Sequence, residues 1–315
     1  MQRKAIIFGV KGTTLSREEK YFLKTSKPWG IIIFSRNVSN LSQLKKLTKQ
    51  IRSIFNDSNY PILIDEEGGD VTRLNKIISF RTFSQSFIAE EYKNNKSTFH
   101  ERYENYISLV SDILSEAGIN INTSPVLDIK NKASNKIIGS RAFSNNKKII
   151  YKIGNLCINF YHKNKIGTVV KHIPGHGRSN NDSHFFTPII SASKNELIKN
   201  DFKVFKKNKS FFAMTGHLVF TSFDKKNTAT HSKNIITNVI RKHIGFKGIL
   251  ISDDISMKAL KYNIKTNAIK ALHAGCNLVL HCNGNLKEMK KLVKIIPNID
   301  NLTQKKTSDF YKFLG

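Results

Sequence analysis

The chain has 315 residues, 39% of them hydrophobic, enough for a sizeable core and too apolar for a disordered polypeptide. Its formal net charge of +29 points towards polyanions, yet only 10 of the 52 basic residues are arginine and the lysines are scattered among Asn and Ile, which reads as solvated lysine rather than a nucleic-acid face. No run approaches the roughly eighteen apolar residues of a membrane span, and the three cysteines, Cys157, Cys276 and Cys282, form no CxxC pair, against a disulfide framework or zinc knuckle.

In chain order, Met1-Gln2-Arg3-Lys4 leads at once into the apolar run 5–10, too short for a signal-peptide core. It reads as the first strand of a soluble, cytoplasmic protein. Further short β-branched runs stand at 30–34, 61–65, 119–123, 167–170, 211–215, 248–252 and 277–280. Helical patterns fill 41–55, capped by Ser39 or Asn40, and 99–116, stopped by Gly118. Others are expected at 147–164, 194–207, 234–243 and 286–296, with the chain ending soon after the last. Eight strands alternating with helices predict an α/β fold, a single TIM-type (β/α)8 barrel. No Pro/Gly/Ser linker divides it, so one catalytic domain over 1–315 is expected.

The strand ends carry the titratable groups. Asp65-Glu66-Glu67-Gly68-Gly69 closes the third strand, Asp128 follows the fourth and Lys171-His172 closes the fifth. Gly216-His217, Asp253-Asp254 and His281 close the sixth, seventh and eighth. All fall on the C-terminal face, where barrel enzymes keep their active sites.

The richest segment is Lys171-His172-Ile173-Pro174-Gly175-His176-Gly177, followed by Asp182-Ser183-His184. An acid beside an imidazole is a way to orient a proton donor, and the polar segment 178–184 reads as a mobile loop that swings over substrate. Gly68 and Gly69 would let the backbone pass close to a ligand, and Asp65 could bind a diol. Adjacent residues leaving a strand point to opposite sides, so one of Asp253 and Asp254 is expected to face the pocket and the other to support it. His172, His176 and His184 also admit a metal reading, weakened by the lack of HxH or HExxH spacing.

Together these segments, with Ser124-Pro125-Val126-Leu127-Asp128-Ile129, Ile138-Gly139-Ser140-Arg141-Ala142-Phe143-Ser144, Met214-Thr215-Gly216-His217 and 248–257, resemble the bacterial family 3 β-N-acetylhexosaminidases of the single-domain, peptidoglycan-recycling type. The resemblance implies a retaining enzyme with Asp253 as nucleophile and His184, oriented by Asp182, as general acid/base. It implies that Asp65, Arg73, Arg141, Lys171 and His172 grip the sugar, with Asp254 and His217 behind the reacting groups. The implied substrate is terminal β-linked N-acetylglucosamine on a 1,6-anhydro-muropeptide. No metal or organic cofactor, nucleic acid, membrane or obligate protein partner is implied. Asp70, Ile173 and His243 depart from the family pattern. The alternatives are a family 3 glycosidase of different sugar specificity, a catalytically inactive sugar-binding barrel, a metal-dependent hydrolase and a nucleic-acid-binding protein.

Overall fold

The computed structural model describes residues 2–131, 138–179 and 186–315. Its frame is a closed parallel barrel built from β1 (Lys4–Gly9), β2 (Pro28–Ile33), β3 (Ile62–Ile64), β4 (Ile121–Asn122), β5 (Gly167–Ile173), β7 (Phe212–Thr215), β9 (Ile249–Asp254) and β10 (Leu278–His281). Each barrel strand falls on an expected run, and the (β/α)8 reading holds. Helices cover the outside, so β2 and β5 are buried at every residue, as a sheet enclosed on both faces requires. Two short strands, β6 (Ile189–Ile190) and β8 (Val219–Phe220), pair outside the barrel and tie the segment after β5 to the one after β7.

Several boundaries move. β4 keeps two ladder residues because Asn120 and Asn122 insert their amides beside β3. Asn120 Oδ1 accepts from Ile62 N at 2.9 Å, and Asn122 accepts from Glu66 N at 3.0 Å while donating to Glu66 O at 2.8 Å. The helix expected over 194–207 stops as α6 (Lys194–Lys199), then resumes as a short 3-10 turn, Lys203–Phe205. Asn200 and Asp201 interrupt it with side chains engaged by Lys147 and Arg178. The expected helix 234–243 is a π-helix, Ile235–Ile244, ended by Gly245 at φ +80°. Expected helices at 41–55, 99–116, 147–164 and 286–296 are α2 (Leu41–Phe55), α4 (Lys96–Glu116), α5 (Lys147–Lys163) and α8 (Leu286–Val293).

Four helices went unread: α1 (Arg17–Ser26), α3 (Gln85–Asn94), α7 (Ile264–Ala274) and α9 (Asn301–Leu314). α9 corrects the expectation that the chain ends soon after 286–296. It closes the lower face of the barrel, where Phe310 is fully buried against Phe212 at a ring separation of 5.0 Å. Gly167 makes the seat: a Cβ there would lie 2.7 Å from the Phe310 ring. Thr307 accepts from the buried Trp29 indole at 2.9 Å, and Tyr311 accepts from Arg3 at 2.7 Å. Among the described residues no helix is long and apolar enough to cross a membrane.

Candidate active site

At the opposite, C-terminal end the strand termini surround a cavity of about 210 Å³. This is smaller than the roughly 300–1,000 Å³ of sites for drug-sized ligands and suits one sugar ring. Asp65, Arg73, Arg141, Lys171, His172, Asp253 and Asp254 all line it.

Backbone irregularity explains how adjacent residues share the lining. Where β5 pairs with β7, Lys171 opposes Met214 but Ile173 opposes Thr215, leaving His172 extra. Where β9 pairs with β10, Ile251 opposes Leu278 but Asp254 opposes Leu280. Such bulges re-aim side chains at barrel rims. The second overturns the expectation from strict alternation: Asp253 and Asp254 both face the cavity. Asp253 Oδ1 accepts the Asp254 N–H at 2.7 Å. Asp254 is fixed by Ser256, whose N and Oγ donate at 3.0 and 2.7 Å.

One wall is a charge network. Asp65 accepts from Thr123 Oγ1 at 2.6 Å, from Arg73 Nη2 at 2.7 Å and from Lys171 Nζ. Glu67, without solvent contact, takes Arg141 in bidentate fashion at 2.7 Å on both oxygens and Lys171 Nζ at 2.5 Å. Burial pushes both carboxyls up, but the neighbouring cations outweigh it: Lys171 and Arg73 hold Asp65 far below its usual range, and Arg141 and Lys171 hold Glu67 low. Lys171 and Arg141 are thus immobilised by acids behind the cavity wall. Glu66 points elsewhere, accepting from the N–H groups of Arg73 and Leu74 at 2.7 and 3.1 Å and shaping the loop.

Gly68 and Gly69, at φ +78° and +66°, serve that loop rather than a ligand. A Cβ on them would meet Phe83 O at 2.3 Å and the Ser84 Cβ at 2.7 Å. The sequence reading of a close ligand approach is corrected accordingly.

Beside this network, the buried Asp128 accepts from His172 Nδ1 at 2.7 Å and from the N–H groups of His172 and His176 at 3.2 and 2.6 Å. His172 is thus oriented by a carboxylate while its side chain lines the cavity. Burial, aided by the His172 charge, lowers His176 to about 4, so its ring is neutral at pH 7. His217 is fully buried behind the Asp253–Asp254 pair, with Nδ1 on Thr230 Oγ1 at 2.7 Å and Nε2 on Asp254 O at 3.0 Å. Burial raises Asp253, but the nearby His217 and His172 side chains and the Asp254 N–H bring it below the ordinary carboxyl value. Asp253 is thereby kept as an anion.

Asp182 and His184 lie outside the described residues. Arg178, read as part of a mobile loop, is pinned by Asp201 at 2.8 Å and Glu196 at 2.7 Å. Among the described residues no three His, Cys, Asp or Glu side chains group to hold a metal ion.

Sequence reasoning assigned no role to Glu67, Thr123 or Cys282, all of which build or line this site, and read His176 only as a candidate metal ligand. For Glu67 a signal existed: it stands two residues after Asp65, and positions i and i+2 of extended chain share a side.

The family model described as "Glycosyl hydrolase family 3 N terminal domain" matches residues 4–310. A β-hexosaminidase of Psychromonas ingrahamii is 33% identical over 312 residues, covering 97% of this chain and 88% of its own. One from Actinobacillus pleuropneumoniae is 32% identical, covering 88% and 81%. The structure of NagZ from Neisseria gonorrhoeae in complex with N-trifluoroacetyl-D-glucosamine superposes with a TM-score of 0.86 at 26% identity, over 100% of this chain and 90% of that one. With an anionic Asp253 at the end of the seventh barrel strand and a wall of fixed cations around a sugar-sized cavity, the chain belongs to glycosyl hydrolase family 3, beside its β-hexosaminidases, and is a glycoside hydrolase.

Proposed function

We propose that this one-domain barrel is a cytoplasmic, retaining exo-β-N-acetylglucosaminidase that removes terminal β-1,4-linked N-acetylglucosamine from 1,6-anhydro-muropeptides during peptidoglycan recycling. The observation that carries the reading is the placement of Asp253 on the cavity lining at the end of β9, across the barrel from the Asp65–Lys171–Arg73 cluster. The similarity to β-hexosaminidases and to a relative that binds an N-acylated glucosamine supports the sugar assignment.

In this reading Asp65, Arg73, Arg141, Lys171 and His172 hold the hydroxyls and N-acetyl group. Asp253 attacks the anomeric carbon as the bond to the leaving oxygen breaks, and His184, oriented by Asp182, protonates that oxygen. A water then gives its proton to His184 and attacks the same carbon, releasing Asp253. An imidazole suits the task because it titrates near neutrality.

The test is release of nitrophenol from the aryl β-N-acetylglucosaminide beside the aryl β-glucoside, with a chelator control. Release of N-acetylglucosamine from the anhydro-disaccharide peptide is followed in parallel. Turnover of the N-acetyl substrates alone, insensitive to chelator and giving the β-anomer first, is expected. Comparable turnover of the glucoside would move the enzyme to another sugar. No turnover of either would make it a binding barrel.

A further inference from the structure

His281, the last residue of β10, has no solvent exposure and lies between two carboxylates. Its Nδ1 is 3.9 Å from Asp254 Oδ1 and its Nε2 3.3 Å from Glu288 Oε2. Neither nitrogen makes a hydrogen bond of ordinary geometry. Leaving buried polar groups unsatisfied is costly, so an imidazole placed this way calls for an explanation. Around it, β9 presents Asp254, α8 presents Glu288, and β1 presents the Phe8 ring, edge-on at 6.1 Å. Glu288 is itself steadied by Asn283 Nδ2 at 2.8 Å.

A neutral imidazole can donate one proton, to one of these acids; the imidazolium can donate to both. Either way, Asp254 is the acid on the cavity side. It stands next to Asp253, and two neighbouring carboxylates raise each other's proton affinity. An imidazole held beside Asp254 bears on where that carboxylate points relative to Asp253.

We propose that His281 is a positioning residue: it bridges Glu288 to Asp254 and thereby sets the orientation of the Asp254 carboxylate beside the Asp253 nucleophile. The catalytic half of this statement rests on the glycosidase reading above. Burial pulls the imidazole down, and the two acids oppose it, leaving it below 6.5. The bridge is then complete on the acid side and single-sided at neutral pH.

Two measurements on the full chain decide it. Histidine-labelled NMR, with the His281 signal assigned by its loss in His281→Val, should give a midpoint below 6.5 that falls further in Asp254→Asn and in Glu288→Gln, since each removes a negative neighbour. Kinetics on the aryl β-N-acetylglucosaminide should show kcat down about 10- to 100-fold in His281→Val, with KM nearly unchanged, as for misplacement of a reacting group. His281→Asn, which can still donate to one acid, should recover part of the loss. The wild-type pH profile should carry a step at the NMR midpoint that His281→Val lacks. Midpoints unmoved by both acid variants overturn the bridge. An unchanged kcat and pH profile in His281→Val overturns the positioning role, even if the variant melts lower. A wild-type chain without turnover overturns the glycosidase reading and the catalytic half with it, while the titration still decides the bridge.

Discussion

Glu67 should be the most consequential residue of the site that never touches substrate. Replacing it by Gln keeps its shape but leaves Arg141 and Lys171, whose side chains are 15% and 3% exposed, without the anion they share. Breaking a buried pair by removing one partner costs about 3–5 kcal/mol. The amide retains one acceptor for the Arg141 fork, which favours the lower end. At about 2 °C per kcal/mol for a chain of this size, a loss of about 3 kcal/mol lowers Tm by about 6 °C. The pH dependence has a defined sign. Arg141 and Lys171 outweigh burial and depress the folded Glu67 carboxyl below 4.5. Its stabilisation is therefore fully present above that value and is lost as pH falls through the lower folded one. The gap between wild type and Glu67→Gln should be widest at pH 6–8 and shrink in acid. Calorimetric melting from pH 3 to pH 8 measures it. Steady-state kinetics should show KM rising more than kcat falls, since the two cations lose their fixed positions. A variant melting within 1 °C of wild type at pH 7 would refute the idea that Glu67 holds them.

Asp253→Ala should abolish turnover with Tm near wild type; near-normal activity would remove Asp253 from the nucleophile role. His184→Ala should slow aryl glycosides with good leaving groups far less than natural disaccharides, because the former need little protonation. Equal losses on both substrates would count against the acid assignment. Phe310→Ala, at the lower face, should cost about 3–5 kcal/mol of stability in a denaturant titration while leaving kcat at 25 °C unchanged. A fall in kcat at constant fold would mean that the two ends of the barrel communicate.

The barrel strands were legible because parallel strands buried on both faces read as continuous β-branched runs, as in Gly30-Ile31-Ile32-Ile33. Two of the missed helices, α1 and α9, have a thin apolar pattern. Half of α1 is charged, and its capping box, Ser16 with Glu19, announces it; the two groups bond reciprocally at 3.1 and 2.9 Å. α9 follows Pro297, and of its nine residues before Phe310 only Leu302 is apolar, so Phe310 has no local signature. At the site, residue types and order were readable, but partners were not. Glu67 and Lys171 are far apart in sequence, and their pairing exists only once β3 and β5 close around the cavity. The shared lining by Asp253 and Asp254 was hidden for another reason: a bulge breaks the two-residue period on which the expectation of a single facing acid rested.

The aromatic seal that α9 makes beneath the barrel also bears on how this scaffold could be altered. Cohesion of β5 and β7 is secured from below by Phe310 seated on Gly167 and Phe212, well away from the chemistry. Rim loops can therefore be exchanged with those of other family members as cassettes, to shift sugar preference on an unchanged frame. The segments after β3 and at the end of β5 must travel as one cassette together with Arg141, because Glu67 binds all three into a unit. The lower face offers no such freedom, since any side chain at residue 167 would unseat the helix that locks it.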